Sequence, residues 1–259
     1  MQQLYGLIGQ TLGHSFSKDF FNKKFESESI DAEYVNFELP DIGYFMEVIA
    51  ELPNLCGLNV TIPYKEQIMP YLNSLSEDAK AIGAVNTIAV EYNNKDGIRL
   101  TGHNTDVIGF SDSIKPLLQP DMRKALVLGT GGASKAVMHG LRALGVEPVA
   151  VSRTAAPDRL TYAELTPEIM KEHKIIVNTT PLGMWPKVDT FPDIPYDLLT
   201  PAHLCYDLIY NPDVTAFMKR AAEHGATVKN GLEMLLLQAF AAWQIWQSTN
   251  APVRVAGTK

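Results

Sequence analysis

Residues 124–151 constrain this chain most. Residues 124–129 form a short apolar run, 130–133 a glycine-rich turn, and 134–144 a stretch of helical spacing closed by Gly145. A second apolar run follows at 146–151. A glycine just past a helical stretch is a normal stop. Strand, helix and strand in this order make a βαβ unit of the length that a dinucleotide-binding fold needs. The turn itself reads Gly129-Thr130-Gly131-Gly132-Ala133-Ser134. It fits G-x-G-x-x-(small), with Ser134 where the strict pattern has a third glycine. Gly129 permits the tight turn, and Gly131 lets the backbone approach a pyrophosphate on the helix N-terminus. Gly129, Gly131, Gly132 and Ala133 are therefore the expected cofactor-binding backbone.

The end of the next strand chooses between cofactors. An NAD-binding unit carries an acidic residue there for the ribose hydroxyls. Here the chain reads Ser152-Arg153-Thr154. An arginine between two hydroxyls suits a 2′-phosphate, so NADP is the expected cofactor and Ser152, Arg153 and Thr154 its ligands. Arg159 is a weaker candidate, because the intervening loop is long.

The rest of the chain keeps the same rhythm. Strands are expected at 4–9, 34–39 and 58–62, and helices at 41–51, 65–69, 76–82 and 106–118. A loop entering a helix is expected over 14–28. A hairpin spans 86–101 with its turn at 93–97. Farther on come strands at 175–179 and 204–208, a helix at 215–224, and a long helix at 231–247 that is apolar on most sides and expected to be buried. Alternating strands and helices predict an α/β fold with a mostly parallel sheet in the first part. The division falls within 102–120. It gives a substrate-binding and catalytic domain at 1–104 and a Rossmann-type NADP-binding domain at 105–235. The C-terminal helix, about 236–259, packs back on the first domain.

Composition excludes several classes. Hydrophobic residues make up 46% of the 259 and charged residues 20%, the balance of an ordinary globular protein. A net charge of −7 argues against a nucleic-acid or anionic-membrane surface. An anionic ligand must then be met by single basic residues. Cys56 and Cys205 are far apart without metal spacing, and both are expected to be buried, inert thiols. No pair of histidines has metal spacing, so no metal is expected, and His14, His103 and His139 carry no catalytic role. Without a charged leader or a membrane-length apolar run, the expected compartment is the cytoplasm.

Two short motifs carry the chemistry. Gly57-Leu58-Asn59-Val60-Thr61-Ile62-Pro63-Tyr64-Lys65 puts Asn59 and Thr61 on one side of an extended backbone. Lys65 follows at the expected start of a helix, where a positive charge opposes the dipole. Gly102-His103-Asn104-Thr105-Asp106 ends a strand with a carboxylate that can pair with Lys65. Asp106 also has the residue type of a helix N-cap.

Together these motifs resemble the shikimate dehydrogenase family, whose patterns are similar to GxNVTxPxK and GxNTD. The resemblance covers nearly the whole chain. It implies two α/β domains with a cleft between them, Lys65 and Asp106 as the catalytic pair, and Asn59 and Thr61 as substrate ligands. It makes Ser15 and Ser17 of His14-Ser15-Phe16-Ser17 ligands for the substrate carboxylate, with Ser17 also a candidate N-cap. The family usually has a proline where this chain has Lys18. Asn86, Tyr210 in Asp207-Leu208-Ile209-Tyr210-Asn211-Pro212, and Gln238 in Asn230-Gly231-Leu232-Glu233-Met234-Leu235-Leu236-Leu237-Gln238 join the implied substrate pocket. Gly231 joins the implied cofactor site, as do Asn178 and Thr180 of Asn178-Thr179-Thr180-Pro181-Leu182-Gly183-Met184, ahead of Thr179 and Pro181.

The implied activity is reversible, NADPH-dependent reduction of 3-dehydroshikimate to shikimate, in aromatic amino acid biosynthesis. The expected partners are small molecules, with no nucleic acid and no membrane. The chain itself is expected to be a monomer or a homodimer. Two other readings stand beside this one. The first is a quinate/shikimate dehydrogenase of broader specificity. The second is a non-catalytic sensing module, which has no use for Lys65 and Asp106 together.

Overall fold

The structure, a computed structural model, describes residues 2–13, 15–93 and 97–250. His14, the middle of the expected hairpin turn and the end of the expected C-terminal helix lie outside the described residues. The chain divides into two units. One runs to Thr105 and takes up the chain again from Ala239, and the other is Asp106–Gln238.

The first unit holds β1 (Gln3–Gly9), α1 (Phe16–Ser27), β2 (Ala32–Glu38), α2 (Phe45–Ala50), β3 (Leu55–Val60), β4 (Ser74–Leu75), α3 (Glu77–Ile82), β5 (Thr87–Asn93) and β6 (Gly97–His103). They form a six-stranded sheet in the order β2-β1-β3-β5-β6-β4. β1 runs parallel to β2 and β3, but β5 is antiparallel to both β3 and β6. The sheet expected to be mostly parallel is thus mixed. A hairpin reverses direction, whereas a parallel neighbour needs a long crossover.

Alternation along β3 sorts the two faces. Leu58 and Val60 join Phe45, Ile49 and Ile68 on one side. Gly57 and Asn59 face the other, where Tyr5, Phe21, Phe25, Tyr34 and Trp246 pack. A Cβ at Gly57 would stand 2.3 Å from Trp246 Nε1, which donates to the Ile88 carbonyl at 3.0 Å. Only glycine leaves room there for the indole.

The second unit holds α4 (Asp106–Ile114), β7 (Lys124–Leu128), α5 (Gly132–Ala143), β8 (Glu147–Ser152), β9 (Arg159–Thr161), α6 (Pro167–Glu172), β10 (Ile175–Asn178), β11 (Leu204–Asp207), α7 (Ala216–Glu223), β12 (Thr227–Lys229) and the first part of α8 (Leu232–Asn250). Its six strands run in the order β12-β11-β10-β7-β8-β9, every pair parallel. Both faces are covered, by Phe110, Val137 and Leu141 on one side and Met170, Phe217 and Met218 on the other. That explains why the central strands β7, β10 and β11 are buried almost throughout. Strand order reverses beside β7. The carboxyl ends of the strands at such a switch point are where open α/β sheets bind ligands.

Several elements differ from expectation. β9, α6 and β12 are too short to show a period. α5 begins at Gly132 rather than Ser134, with Gly131 as its extended N-cap residue. α8 exposes Leu232 and Phe240, so it is not buried on all sides. Cys205 is buried, its thiol pushed up to about 12 by that burial, while Cys56 is only half-buried. No helix among the described residues is long and apolar enough to cross a membrane.

Candidate active site

The motif turn after β3 is built by hydrogen bonds rather than by a helix. Thr61 N–H donates to Ile8 O, Tyr64 N–H to Thr61 O, and Ile68 N–H to Tyr64 O, each at 2.9 Å. The helix expected at 65–69 does not form, and residues 62–68 are a run of turns. Pro63 and Pro70 each remove a donor, which leaves too few residues to nucleate a helix. Lys65 therefore does not oppose a helix dipole. Its backbone carbonyl accepts from Val85 N–H at 2.7 Å. Tyr64 and Ile68, both buried, anchor the turn on either side, and Tyr64 Oη donates to Leu39 O at 2.6 Å. Lys65 and Thr61 are both half-buried.

At the start of α1, the N-cap is Ser15 and not Ser17: Ser15 Oγ accepts from Lys18 N–H at 3.3 Å. A proline at position 18 would lack that donor. Ser17 lies inside the helix, so the two serines do not share one side of an extended strand.

Asn59 differs more sharply from its expected role. Its Oδ1 accepts from Tyr34 Oη at 2.8 Å, and its Nδ2 donates to Asn86 O and Thr87 Oγ1 at 3.2 and 3.1 Å. The amide is buried and engaged at both ends, so Asn59 shapes the site from behind. Asn86 Nδ2 donates to Thr105 Oγ1 at 3.0 Å, and Asn86 Oδ1 accepts from Thr105 N–H at 2.6 Å. Asp106, next in the chain, is buried and is the first residue of α4. A carboxylate there is favoured by the helix dipole.

In the second unit, Gly129 has φ +112°, and a Cβ on it would meet Thr179 Oγ1 at 2.7 Å. Glycine is needed on both counts. A Cβ on Gly131 would meet nothing within 4 Å, so the backbone beside the α5 N-terminus stands open to a ligand. Ser134 Oγ donates to Gly129 O at 2.8 Å and holds the loop shut on its own helix. Gly132 and Ala133 form the first turn of α5. The residues present thus fit a pyrophosphate. Past β8, Thr154 N–H donates to Ser152 Oγ at 3.2 Å, and Arg153 is exposed. Arg159 is paired with its neighbour Asp158, Nε to Oδ1 at 2.9 Å.

Asn178 and Thr180 are tied inward. Asn178 Nδ2 donates to Asp207 Oδ1 at 3.0 Å, and its Oδ1 accepts from the Thr180 hydroxyl and N–H at 2.7 and 3.0 Å. With Asn178 fully buried, the pair sets the shape of the turn. Asp207 was not among the sequence candidates. It also accepts from Ile209 N–H at 3.0 Å and Thr215 Oγ1 at 2.6 Å. Burial pushes its carboxyl up to about 6 despite these three donors. Gly231 lies so near Leu208 that a Cβ would stand 1.9 Å from its carbonyl oxygen. Its need for glycine is this close approach. Tyr210 is partly exposed beside it, and Gln238 is buried, donating from Nε2 to Leu235 O at 2.9 Å.

The family model for the shikimate dehydrogenase substrate binding domain matches residues 7–88. The NADP(+) shikimate dehydrogenase of Desulforamulus reducens is 37% identical, over 98% of this chain and 92% of its own. This chain belongs to the shikimate dehydrogenase family. Among solved structures, shikimate 5-dehydrogenase of Thermus thermophilus, in complex with NADP(H) and shikimate, matches with a TM-score of 0.81 at 29% identity, covering 95% of this chain and 94% of that one. The quinate dehydrogenase of Corynebacterium glutamicum, in complex with NAD, matches with a TM-score of 0.82 at 25% identity and the same coverage.

Family motifs located the turn of Lys65, the glycine loop and Arg153. They did not reveal that Tyr34, Thr87, Thr105, Asp207 and Thr215 hold the polar side chains in place. A tyrosine on a strand and an aspartate at a strand end carry no spacing signal of their own.

Proposed function

We propose that this chain catalyses the reversible, NADPH-dependent reduction of 3-dehydroshikimate to shikimate. The observation that carries the reading is that both catalytic motifs stand complete in a chain matched to NADP(+) shikimate dehydrogenases over nearly its full length.

Bound NADPH supplies the hydride. The chain's own residues do the rest. Gly129, Gly131, Gly132 and Ala133 hold the pyrophosphate at the α5 N-terminus. Ser152, Arg153 and Thr154 take the 2′-phosphate, which an NAD-type acidic residue would repel. Asn178, Thr180 and Gly231 fix the backbone along the cofactor. Ser15 and Ser17 bind the carboxylate of the substrate. Thr61, Asn86, Tyr210 and Gln238 bind its ring hydroxyls, with Asn59 holding Asn86 in register. Lys65 donates the proton to the carbonyl oxygen, and Asp106 is its catalytic partner. The free thiols of Cys56 and Cys205 suit a reducing cytoplasm.

The test is turnover of purified protein, followed by nicotinamide absorbance, with shikimate and NADP⁺, shikimate and NAD⁺, and quinate with each. Fast turnover with shikimate and NADP⁺ alone is expected. The likeness to a quinate dehydrogenase gives the second reading its ground. Comparable rates with quinate would favour it. A folded protein that binds NADP⁺ but turns over nothing would leave only a sensing role.

A further inference from the structure

A single buried phenol stands at the head of the polar side chains of the first unit. Tyr34, on the edge strand β2, has both backbone groups held by one side chain of α1. Its N–H donates to Asn22 Oδ1 and its carbonyl accepts from Asn22 Nδ2, both at 2.9 Å. Asn22 thereby pairs an edge strand that would otherwise be open and fixes α1 along it. The Tyr34 ring stacks on Phe21 of the same helix, with centroids 4.8 Å apart and planes at 13°. The phenol then crosses over β1 and donates to Asn59 Oδ1 at 2.8 Å. Beyond Asn59 the path continues through Thr87 and Asn86 to Thr105.

A core tyrosine with one polar partner is ordinary. This one is fully buried and joins α1, through Asn22 and Phe21, to Asn59 of β3, whose amide is bound to the Asn86 carbonyl. Burial holds the phenol well above its ordinary range, so it stays protonated and keeps donating to Asn59.

We infer that Tyr34 is a positioning residue for substrate binding, setting the place of Asn86 through Asn59. The inference rests on the substrate site proposed for the first unit. It predicts an effect on the substrate and none on the cofactor, which the second unit binds.

The experiment compares Tyr34→Phe with Val90→Ala, a cavity in the same unit away from the polar path. Both are measured for thermal stability, for KM with shikimate and with NADP⁺, and for crystal structure. Loss of one buried hydrogen-bonding group should raise the shikimate KM of Tyr34→Phe about tenfold, with kcat and the NADP⁺ KM within about twofold. Val90→Ala should lower stability and leave both KM values in place. If the two variants change the shikimate KM alike, Tyr34 is structural only and the inference falls. If the unaltered protein turns over no substrate, the proposed function fails instead, and the crystal structures decide. Asn59 and Asn86 unmoved in Tyr34→Phe would then overturn the inference, and displacement of either would support it.

Discussion

The two units hold polar groups in place by different means. In the first, the buried path from Tyr34 through Asn59, Thr87 and Asn86 to Thr105 is made of amides and hydroxyls alone. In the second, the matching task falls to the Asp207 carboxylate, which gathers Asn178, Ile209 and Thr215 around one buried negative group. The difference fits what each unit is proposed to bind. On the proposed function, a buried anion beside Ser17 and Asn86 would repel a carboxylate substrate. No such conflict arises around Asp207, whose donors are all used in joining β10, β11 and α7.

The sharpest way to break this comparison is to put a charge into the neutral path. Asn59→Asp should cost about 3–5 kcal/mol at neutral pH, because the new carboxylate is buried and faces the Asn86 carbonyl. Urea denaturation checks it, and the loss should shrink as pH falls and the new carboxyl is protonated. A cost below about 1 kcal/mol would mean that neutrality is not what the first unit requires.

Next in size is the charge that the first unit does carry. Lys65→Ala should lose at least about a hundredfold in kcat with a modest change in KM, the lower end of what general acid–base catalysis supplies. Steady-state kinetics test this, and a near-normal kcat would remove Lys65 from the chemistry. The effect on stability should be small, because the side chain is only half-buried.

Asp207→Asn should cost roughly 2–3 kcal/mol, since one amide oxygen cannot serve three donors. Its pH dependence runs opposite to that of a salt-bridged carboxylate. The folded carboxyl titrates at about 6 against an ordinary 3.8, so the folded protein binds the proton more tightly. Stability from this group falls as pH rises from about 4 to about 6 and is constant above. The unaltered protein should therefore gain on Asp207→Asn by up to roughly 3 kcal/mol between about pH 7 and pH 4. Melting curves of the two proteins across that range measure it, and parallel curves would refute the buried charge.

Smallest is Arg153→Ala, at the exposed end of β8. It should raise KM for NADP⁺ about tenfold and leave that for NAD⁺ unchanged, the loss of one charged hydrogen-bonding group. Equal effects on both cofactors would move the 2′-phosphate site elsewhere.

Much of this was legible in the sequence because it depends on near neighbours in the chain. The βαβ unit, the glycine loop, the helix starts near Ser76 and Thr215, and the motif turns are patterns of a few residues whose backbone needs are local. The failures were local as well. Pro63 and Pro70 forbid the helix that apolar spacing suggested, and the hairpin made the first sheet mixed.

Residue types and motifs alone determined that this is a two-part α/β chain with a dinucleotide loop, a lysine on a turn and an aspartate at a helix start. Only the tertiary structure decided which polar side chains are turned inward. Asn59, Asn178 and Thr180 were candidates to touch ligands, and in the fold their hydrogen bonds go to Tyr34, Asp207 and each other. The physical reason is that a buried amide must be satisfied from all directions. Its partners come from strands 25 or 29 residues away in the chain, a distance at which spacing carries no signal.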